Sequence, residues 1–330
     1  MDARVAAGPI AGAFGLGALT EAPAAVGQPG AARWKFTTES GSYLVKRLWA
    51  GEDPPWWRHV AAKMDFERRV RSATPIVTAR PVEPERPAFG CAARVGEQGV
   101  FRAYEWLDHR DPGSADDLTD WVARTLVALH GVAPAETGLG SAWDCFGVYP
   151  EATWRGWITA ASDLDRAWAG PLGDHMDTVL GLSKRLTAAW ERADDRVATH
   201  GDFEPYNVLI TADGPALVDW ESVCYESATM EAGRAALAFG GSDPQRVAAI
   251  LRAYREAGGR PVDLGPDRFL RTSALTLCHI TELVRVSLGE LPPSGWMDAA
   301  RLDAEIADRI RRLPGEVAAL TRLADHIGAL

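Results

Sequence analysis

The sequence predicts a two-lobed α+β fold, with an antiparallel sheet near its N-terminal end and mostly helices after it. Residues 33 to 105 alternate strand-like apolar runs with turns rich in glycine and proline, and they hold one amphipathic helix. Beyond residue 117 apolar side chains recur every three to four positions, which indicates helices. One short β-hairpin interrupts those helices. We therefore expect a first lobe over residues 1 to 105 and a second lobe over residues 106 to 330.

Composition is typical of a globular protein. Hydrophobic residues make up 47% and charged residues 24% of the 330 residues. No run approaches the roughly 18 apolar residues of a transmembrane helix, and the apolar N-terminal stretch carries Asp2 where a signal peptide would be basic. Four separated cysteines without a CxxC pair indicate reduced thiols. We expect a cytoplasmic protein that binds no membrane and, with a net charge of −10, no nucleic acid.

The strongest local signal is the stretch from residue 199 to 221, THGDFEPYNVLITADGPALVDWE. Two short apolar runs joined by an Asp-Gly turn predict a β-hairpin that brings Asp202, Asn207 and Asp219 to one end. Carboxylate and amide oxygens suit Mg²⁺ beside phosphates. Phosphoryl transfer needs a metal and a group that accepts the hydroxyl proton. We therefore predict that Asp202 accepts this proton and that Asn207 and Asp219 bind the metal. A hairpin whose polar residues merely cap turns is the alternative.

The same stretch resembles the motifs of the aminoglycoside phosphotransferase family, which is similar in fold to protein kinases and choline kinases. The resemblance lies in His-Gly-Asp at 200–202, Asn207 and Asp-Trp-Glu at 219–221. The spacing from the Asp to the Asn is that of the protein-kinase catalytic loop. Protein kinases differ in having Arg in place of Gly201, a Lys before the Asn, and Asp-Phe-Gly as the second motif. The resemblance implies a bilobal protein-kinase-like fold.

Lysine is scarce in this chain, since only four of its 35 basic residues are lysines. Lys46 lies on a predicted strand and resembles the strand lysine that contacts the α- and β-phosphates of ATP in kinases; a solvated strand lysine is the alternative. Glu67 falls on the apolar stripe of the following helix, where a carboxylate requires a cation. We expect Lys46 to be that cation, as in the Lys–Glu pair of kinases, and a surface pair with Lys63 is the alternative.

Two backbone segments are further candidates for nucleotide binding. Gly27 and Gly30 lie in a turn-rich segment before the first strand, where backbone N–H groups could cover phosphates; a plain hairpin turn is the alternative. Glu105, Trp106 and Leu107 end the last strand of the first lobe, and we place the hinge between the lobes at 105–108. The family resemblance implies that this segment forms backbone hydrogen bonds to adenine.

Charge is uneven along the chain. Residues 33 to 103 hold 13 basic and 8 acidic side chains, whereas the whole chain carries −10. We expect ATP to bind at the basic part and the phosphate acceptor at the acidic part, although solubility alone would also explain the charge. The acceptor ligands that we expect are the acidic residues after the hairpin and the hinge: Glu221, Glu226, Glu231 and Asp108.

Together with the resemblance, these residues predict phosphorylation of a hydroxyl group by ATP (or GTP) and Mg²⁺. The acceptor that the family implies is an aminoglycoside or another cationic antibiotic, as in resistance or self-protection. A metabolite kinase acting on choline, homoserine or a sugar is the second enzymatic reading. A non-catalytic nucleotide-binding module on the same fold is the alternative from another class, and the intact set of Lys46, Asp202, Asn207 and Asp219 argues against it.

Overall fold

The computed structural model describes residues 6–27, 32–54, 56–133, 138–241, 243–293 and 301–328. These residues divide into two compact units. The described residues of the first unit come from the ranges Met1–Asp116, Pro134–Leu139 and Pro205–Val223. Those of the second come from Asp117–Ala133, Gly140–Glu204 and Cys224–Leu330.

The helices and strands follow one another in a simple order. In the first part of the chain they are α1 (Ala7–Ala13), β1 (Ala24–Ala25), β2 (Arg33–Thr38), β3 (Gly41–Trp49), α2 (Trp57–Ala73), β4 (Pro81–Val82), β5 (Ala92–Arg94), β6 (Val100–Glu105), α3 (Thr119–His130), α4 (Glu151–Asp163), α5 (Ala169–Asp174) and α6 (Met176–Arg192). In the remainder they are β7 (Arg196–Thr199), β8 (Val208–Thr211), β9 (Gly214–Leu217), β10 (Cys224–Ser227), α7 (Ala228–Gly240), α8 (Pro244–Glu256), α9 (Leu270–Ser287) and α10 (Leu302–Gly328).

The first unit is built on an antiparallel sheet in the order β1-β2-β3-β6-β4, with β5 also paired to β6. Apolar residues of α1 pack against Phe36, Val45 and Phe101 of the sheet. Val60 and Met64 of α2 form a separate cluster with Cys91, Ala92 and Val100. The one amphipathic helix that the sequence indicated in this part of the chain is present as α2.

The predicted hairpin of β8 and β9 is present and clusters with the first unit. Val208 pairs with Leu217 and Thr211 with Gly214. Isolated bridges connect the hairpin to Val77 and Arg110 of the same unit. The unit therefore extends past the hinge that we expected at residues 105–108, and it takes up Pro205–Val223.

The second unit is mostly helical. Its core gathers side chains from α4, α6, α9 and α10 around Trp154 and Trp168, both fully buried. Trp157 belongs to the same core, so both tryptophans of α4 pack inside the unit. A two-stranded antiparallel ribbon of β7 and β10 leads into α7. None of the described helices has the length and apolarity needed to span a bilayer.

A buried ion pair links the sheet of the first unit to α2. Arg102 Nη2 donates to Glu67 Oε2 over 2.6 Å, and both side chains are at most 2% exposed. Arg102 lies directly opposite Lys46 in the ladder of β3 and β6, so it occupies the place of the lysine that we expected beside Glu67. This corrects the predicted Lys46–Glu67 pair. Removing one partner of such a pair leaves a buried charge without compensation.

We expect Arg102→Met to lower the free energy of unfolding by about 3–5 kcal/mol, because Glu67 would stay buried and unpaired. The double variant Glu67→Leu/Arg102→Met should recover most of that loss, since neither charge remains. Urea denaturation followed by circular dichroism measures both. The control is Arg80→Met, which removes an exposed partner of Glu105 and should cost less than about 1 kcal/mol. Equal losses in Arg102→Met and Arg80→Met would contradict the assignment.

Candidate active site

The first unit contains a compact charge cluster centred on Lys46 of β3. Lys46 Nζ donates to Asp219 Oδ1 over 2.8 Å and to Glu221 Oε2 over 2.6 Å. Arg33 Nη2 lies 3.1 Å from the other oxygen of Asp219. Burial lowers the pKa of Lys46 to about 8, although the carboxylate of Asp219 opposes this change. Lys46 is therefore a largely desolvated cation held between two carboxylates.

The hairpin fixes where Asp219 stands. The N–H of Val218 donates to the carbonyl oxygen of Asn207 over 2.9 Å, which extends the ladder of β8 and β9 by one bond. Asn207 and Asp219 therefore lie at the same end of the hairpin, as predicted. Asp219 has φ 70° and ψ 65°, the left-handed region, and begins a 3₁₀ turn over Trp220–Ser222. This backbone turn directs the chain out of the hairpin directly after β9.

A cleft of about 390 Å³ within the first unit collects most of the residues predicted to bind nucleotide and metal. The predicted residues that line it are Gly27, Lys46, Glu67, Glu105, Trp106, Leu107, Asn207 and Asp219. Gly27 has φ 86°, a conformation that favours glycine. Gly30 lies outside the described residues. Apolar walls beside a lysine and two oxygen donors fit a ligand that has a flat ring and a charged end.

The segment that we predicted as a hinge forms one rim of this cleft. The N–H of Glu105 donates to Arg80 O, and that of Trp106 donates to Ser42 O. The ammonium nitrogen of Lys35 lies over the indole of Trp106, 4.5 Å from the ring centroid. These contacts hold the backbone of Glu105 and Trp106 in a fixed position beside the cleft.

The oxygen donors of the cleft fit a hard divalent cation. Asn207 is buried and supplies an amide oxygen, and Asp219 supplies a carboxylate. Mg²⁺ is commonly held by one or two protein oxygens together with water and substrate phosphates. Within the described part of the chain, no group of three or more His, Cys, Asp and Glu residues could hold a metal. Asn207 and Asp219 supply two oxygen donors of the kind that Mg²⁺ takes from a protein.

In the second unit the turn after β7 is held by α7. The N–H of Gly201 donates to Glu231 Oε1 over 2.9 Å. The other carboxylate oxygen of Glu231 accepts from His130 Nε2 over 2.7 Å, and His130 Nδ1 lies 2.9 Å from the hydroxyl of Tyr254. Burial works against ionisation of Glu231, but its bonds to His130 and Gly201 lower its pKa overall. His130 thus supports the carboxylate that holds the turn after β7.

Arg234 holds the other side of this turn. Its Nη1 donates to the carbonyl oxygen of Gly201 over 2.7 Å, and its Nη2 contacts Asp202 Oδ1 over 2.7 Å and Glu204 Oε1 over 2.8 Å. The guanidinium is nearly buried, whereas the Asp202 carboxylate is 26% exposed. Asp202 therefore offers a partly open carboxylate on a turn fixed at both ends by charged residues.

Comparison with known proteins identifies the family. A family model described as the phosphotransferase enzyme family, APH, matches residues 28–269. The chain belongs to this family. No curated protein sequence matches the chain significantly. As a member of the family, the protein is a phosphotransferase with a hydroxyl acceptor, and the resemblance noted in the motifs is confirmed.

Solved structures confirm the protein-kinase-like fold. An aminoglycoside phosphotransferase from Alicyclobacillus acidocaldarius has a TM-score of 0.57 and 16% identity, over 95% of this chain and 94% of that one. An amicoumacin kinase in complex with AMP-PNP and Ca²⁺ has a TM-score of 0.63 and 13% identity, over 96% and 94%. A choline/ethanolamine kinase family protein from Mesorhizobium loti has a TM-score of 0.59 and 14% identity, over 96% of this chain and 98% of that one.

The residues expected to bind the acceptor of this phosphotransferase are in different surroundings. Glu226 is 1% exposed and pairs with Arg271, and Glu231 is 2% exposed and holds Gly201. Glu221 pairs with Lys46. Asp108 is exposed. Asp108 is exposed and Glu221 is partly exposed, whereas Glu226 and Glu231 are buried and paired within the fold. Glu226 and Glu231 are therefore not retained as acceptor ligands.

Several residues of the two clusters were missed from the sequence. They are Arg33, Glu204 and Arg234. A signal for Arg234 was present, because it follows Glu231 by three residues on the otherwise apolar helix α7. Two charges three residues apart share a helix face, and charges on a buried face require partners.

The left-handed backbone at Asp219 gives a test of the geometry that does not depend on activity. We expect Asp219→Gly to be about 1 kcal/mol more stable than Asp219→Ala, because both lose the carboxylate but only glycine adopts positive φ without cost. Urea denaturation compares the two variants. The control is Asp308, exposed on α10, where alanine should be the more stable by about 1 kcal/mol. The same order at both positions would contradict the geometry of Asp219.

Proposed function

We propose that this phosphotransferase transfers the γ-phosphoryl group of ATP, with Mg²⁺, to a hydroxyl of a small cationic molecule. The observation that carries the proposal is that Lys46, Asn207 and Asp219 line one cleft, where Lys46 pairs with Asp219. It joins a phosphate-binding cation to oxygen donors for a metal. Phosphoryl transfer depends mainly on such positioning and charge neutralisation.

The nucleotide is assigned to the cleft of the first unit. Trp106, Leu107 and Leu44 offer apolar contact to a base, while Lys46 and Arg33 offer positive charge to phosphates. Asn207 and Asp219 are the residues that would hold Mg²⁺, which would offset the charge that develops on the transferred phosphoryl group. An amicoumacin kinase of the same fold contains AMP-PNP and Ca²⁺, which supports nucleotide use here.

Asp202 is assigned the role of general base. Its carboxylate is partly open, and Arg234 fixes its position through one oxygen. Arg234 also binds Gly201 O, so the turn and the carboxylate are held by the same guanidinium. Accurate placement matters because a general base must lie within hydrogen-bond reach of the hydroxyl proton.

Turnover of the Asp202→Asn variant tests the base. We expect it to keep nucleotide binding and lose about 10²–10⁴-fold in turnover, because the amide keeps the shape of the side chain but accepts no proton. ADP release is measured with an acceptor found by mass-spectrometric screening of hydroxyl compounds for a phosphate adduct. Glu204→Gln is the matched control, since it removes another partner of Arg234 and leaves Asp202 intact. Near wild-type turnover in Asp202→Asn would refute the assignment.

The acceptor is proposed to be cationic, and an aminoglycoside or related antibiotic is the class favoured. The chain carries a net charge of −10, Asp111 lines the cleft, and Asp108 is exposed beside it in sequence. The resembling structures include an aminoglycoside phosphotransferase and an amicoumacin kinase. Carboxylates near the path of a cation strengthen its capture at low salt.

Ionic strength separates a cationic acceptor from a neutral one. We expect the KM of the acceptor to rise between about 0.05 and 0.5 M salt more than the KM of ATP does, because screening shortens the reach of the carboxylates. Steady-state kinetics with the screened acceptor measures both, and Asp108→Asn/Asp111→Asn should flatten the response. A preferred sugar or other neutral acceptor, with a KM indifferent to salt, would reject the cationic class and favour a metabolite kinase.

A further inference from the structure

A second and larger cavity lies wholly within the second unit and contains none of the residues assigned above. Its volume is about 670 Å³, within the range of about 300–1,000 Å³ that is typical of small-molecule sites. Its walls come from the C-terminal half of α8, the 3₁₀ segment Gly265–Phe269 and the last turns of α10. These elements place both charged and apolar side chains on the cavity.

Three arginines line this cavity, namely Arg252, Arg255 and Arg268, against a single lining carboxylate, Asp325. None of the three takes part in an ion pair with another described residue. The acidic neighbour of Arg268 along the chain, Asp267, is already occupied by Arg185 and Arg192, each at 2.8 Å. The cavity therefore has a local excess of positive charge in a chain whose net charge is −10.

Arg268 is held in place and is poorly compensated. Its Nε donates to the carbonyl oxygen of Gly265 over 2.8 Å, which fixes the guanidinium at the wall. Burial and the nearby charge of Arg255 lower the pKa of Arg268, while Asp263 only partly opposes them. A partly desolvated guanidinium beside a second one is unfavourable unless an anion compensates it. Guanidinium groups form strong paired hydrogen bonds with carboxylates and phosphates.

The rest of the lining is apolar. Leu251 of α8, Phe269 of the 3₁₀ segment and Ile327 of α10 all face the cavity. A free inorganic anion would leave these side chains in water, and a purely apolar ligand would leave the arginines uncompensated. We propose that this cavity is a binding site for an amphipathic organic anion, with its acidic group on the arginines and its apolar body against Leu251, Phe269 and Ile327.

The proposal can be tested with the probe 8-anilinonaphthalene-1-sulfonate, an aromatic anion whose fluorescence rises in apolar surroundings. We expect one saturable site on the full-length wild-type protein. Arg252→Gln/Arg255→Gln should weaken binding at least about tenfold, since two charge-assisted contacts are lost. Both arginines are exposed, so this variant should fold even where removal of Arg268 does not. N-phenyl-1-naphthylamine, which lacks the sulfonate, should bind the wild type and the variant alike.

Two controls separate this site from other binding. Arg246→Gln/Arg311→Gln removes the same charge from exposed positions outside the cavity and should leave the affinity for the probe unchanged. Saturating AMP-PNP with Mg²⁺ should not displace the probe, because the cleft assigned to the nucleotide lies in the other unit. For the same reason the Lys46→Met variant should bind the probe with wild-type affinity. Unchanged affinity in Arg252→Gln/Arg255→Gln would overturn the proposal, as would equal loss in the control variant or displacement by nucleotide.

Discussion

The ion pair between Lys46 and Asp219 is the constraint on which the cleft of the first unit depends. A buried ammonium without a carboxylate would be costly, so the sheet strand that carries Lys46 needs the hairpin that carries Asp219. The hairpin in turn places Asn207 beside Val218, and the left-handed turn at Asp219 directs Glu221 back to Lys46. A single cation thus organises residues that are far apart in sequence.

Under the proposed function, the same contacts describe a site that is ready to exchange partners. Asp219 pairs with Lys46 and Arg33, and these cations are the groups that phosphates would attract. Lys46 and Arg33 would then bind the phosphates of the nucleotide, and Asp219 would bind Mg²⁺. The exchange keeps local charge nearly balanced, which limits the desolvation cost of binding.

Short-range patterns predicted much of this arrangement. The Asp-Gly turn between apolar runs predicted the hairpin that brings Asn207 and Asp219 together. Lys46, which was predicted from its place on a strand, lines the same cleft. The predicted partner of Glu67 was wrong. Arg102 lies directly opposite Lys46 in the sheet and pairs with Glu67 in its place. The pattern of alternating side chains identifies a face, but it does not say which of two neighbouring cations reaches the carboxylate.

The other differences from the prediction concern charged residues that the fold buries. Glu226, Glu231 and Arg234 follow the hairpin in sequence, where acidic residues suggested an acceptor surface, yet tertiary packing buries them and gives each a charged partner. A charge that is compensated within the fold stabilises the fold, as Glu231 does for the turn at Gly201. Arg268 lines a cavity and is only partly compensated by Asp263, so a ligand of opposite charge would stabilise it.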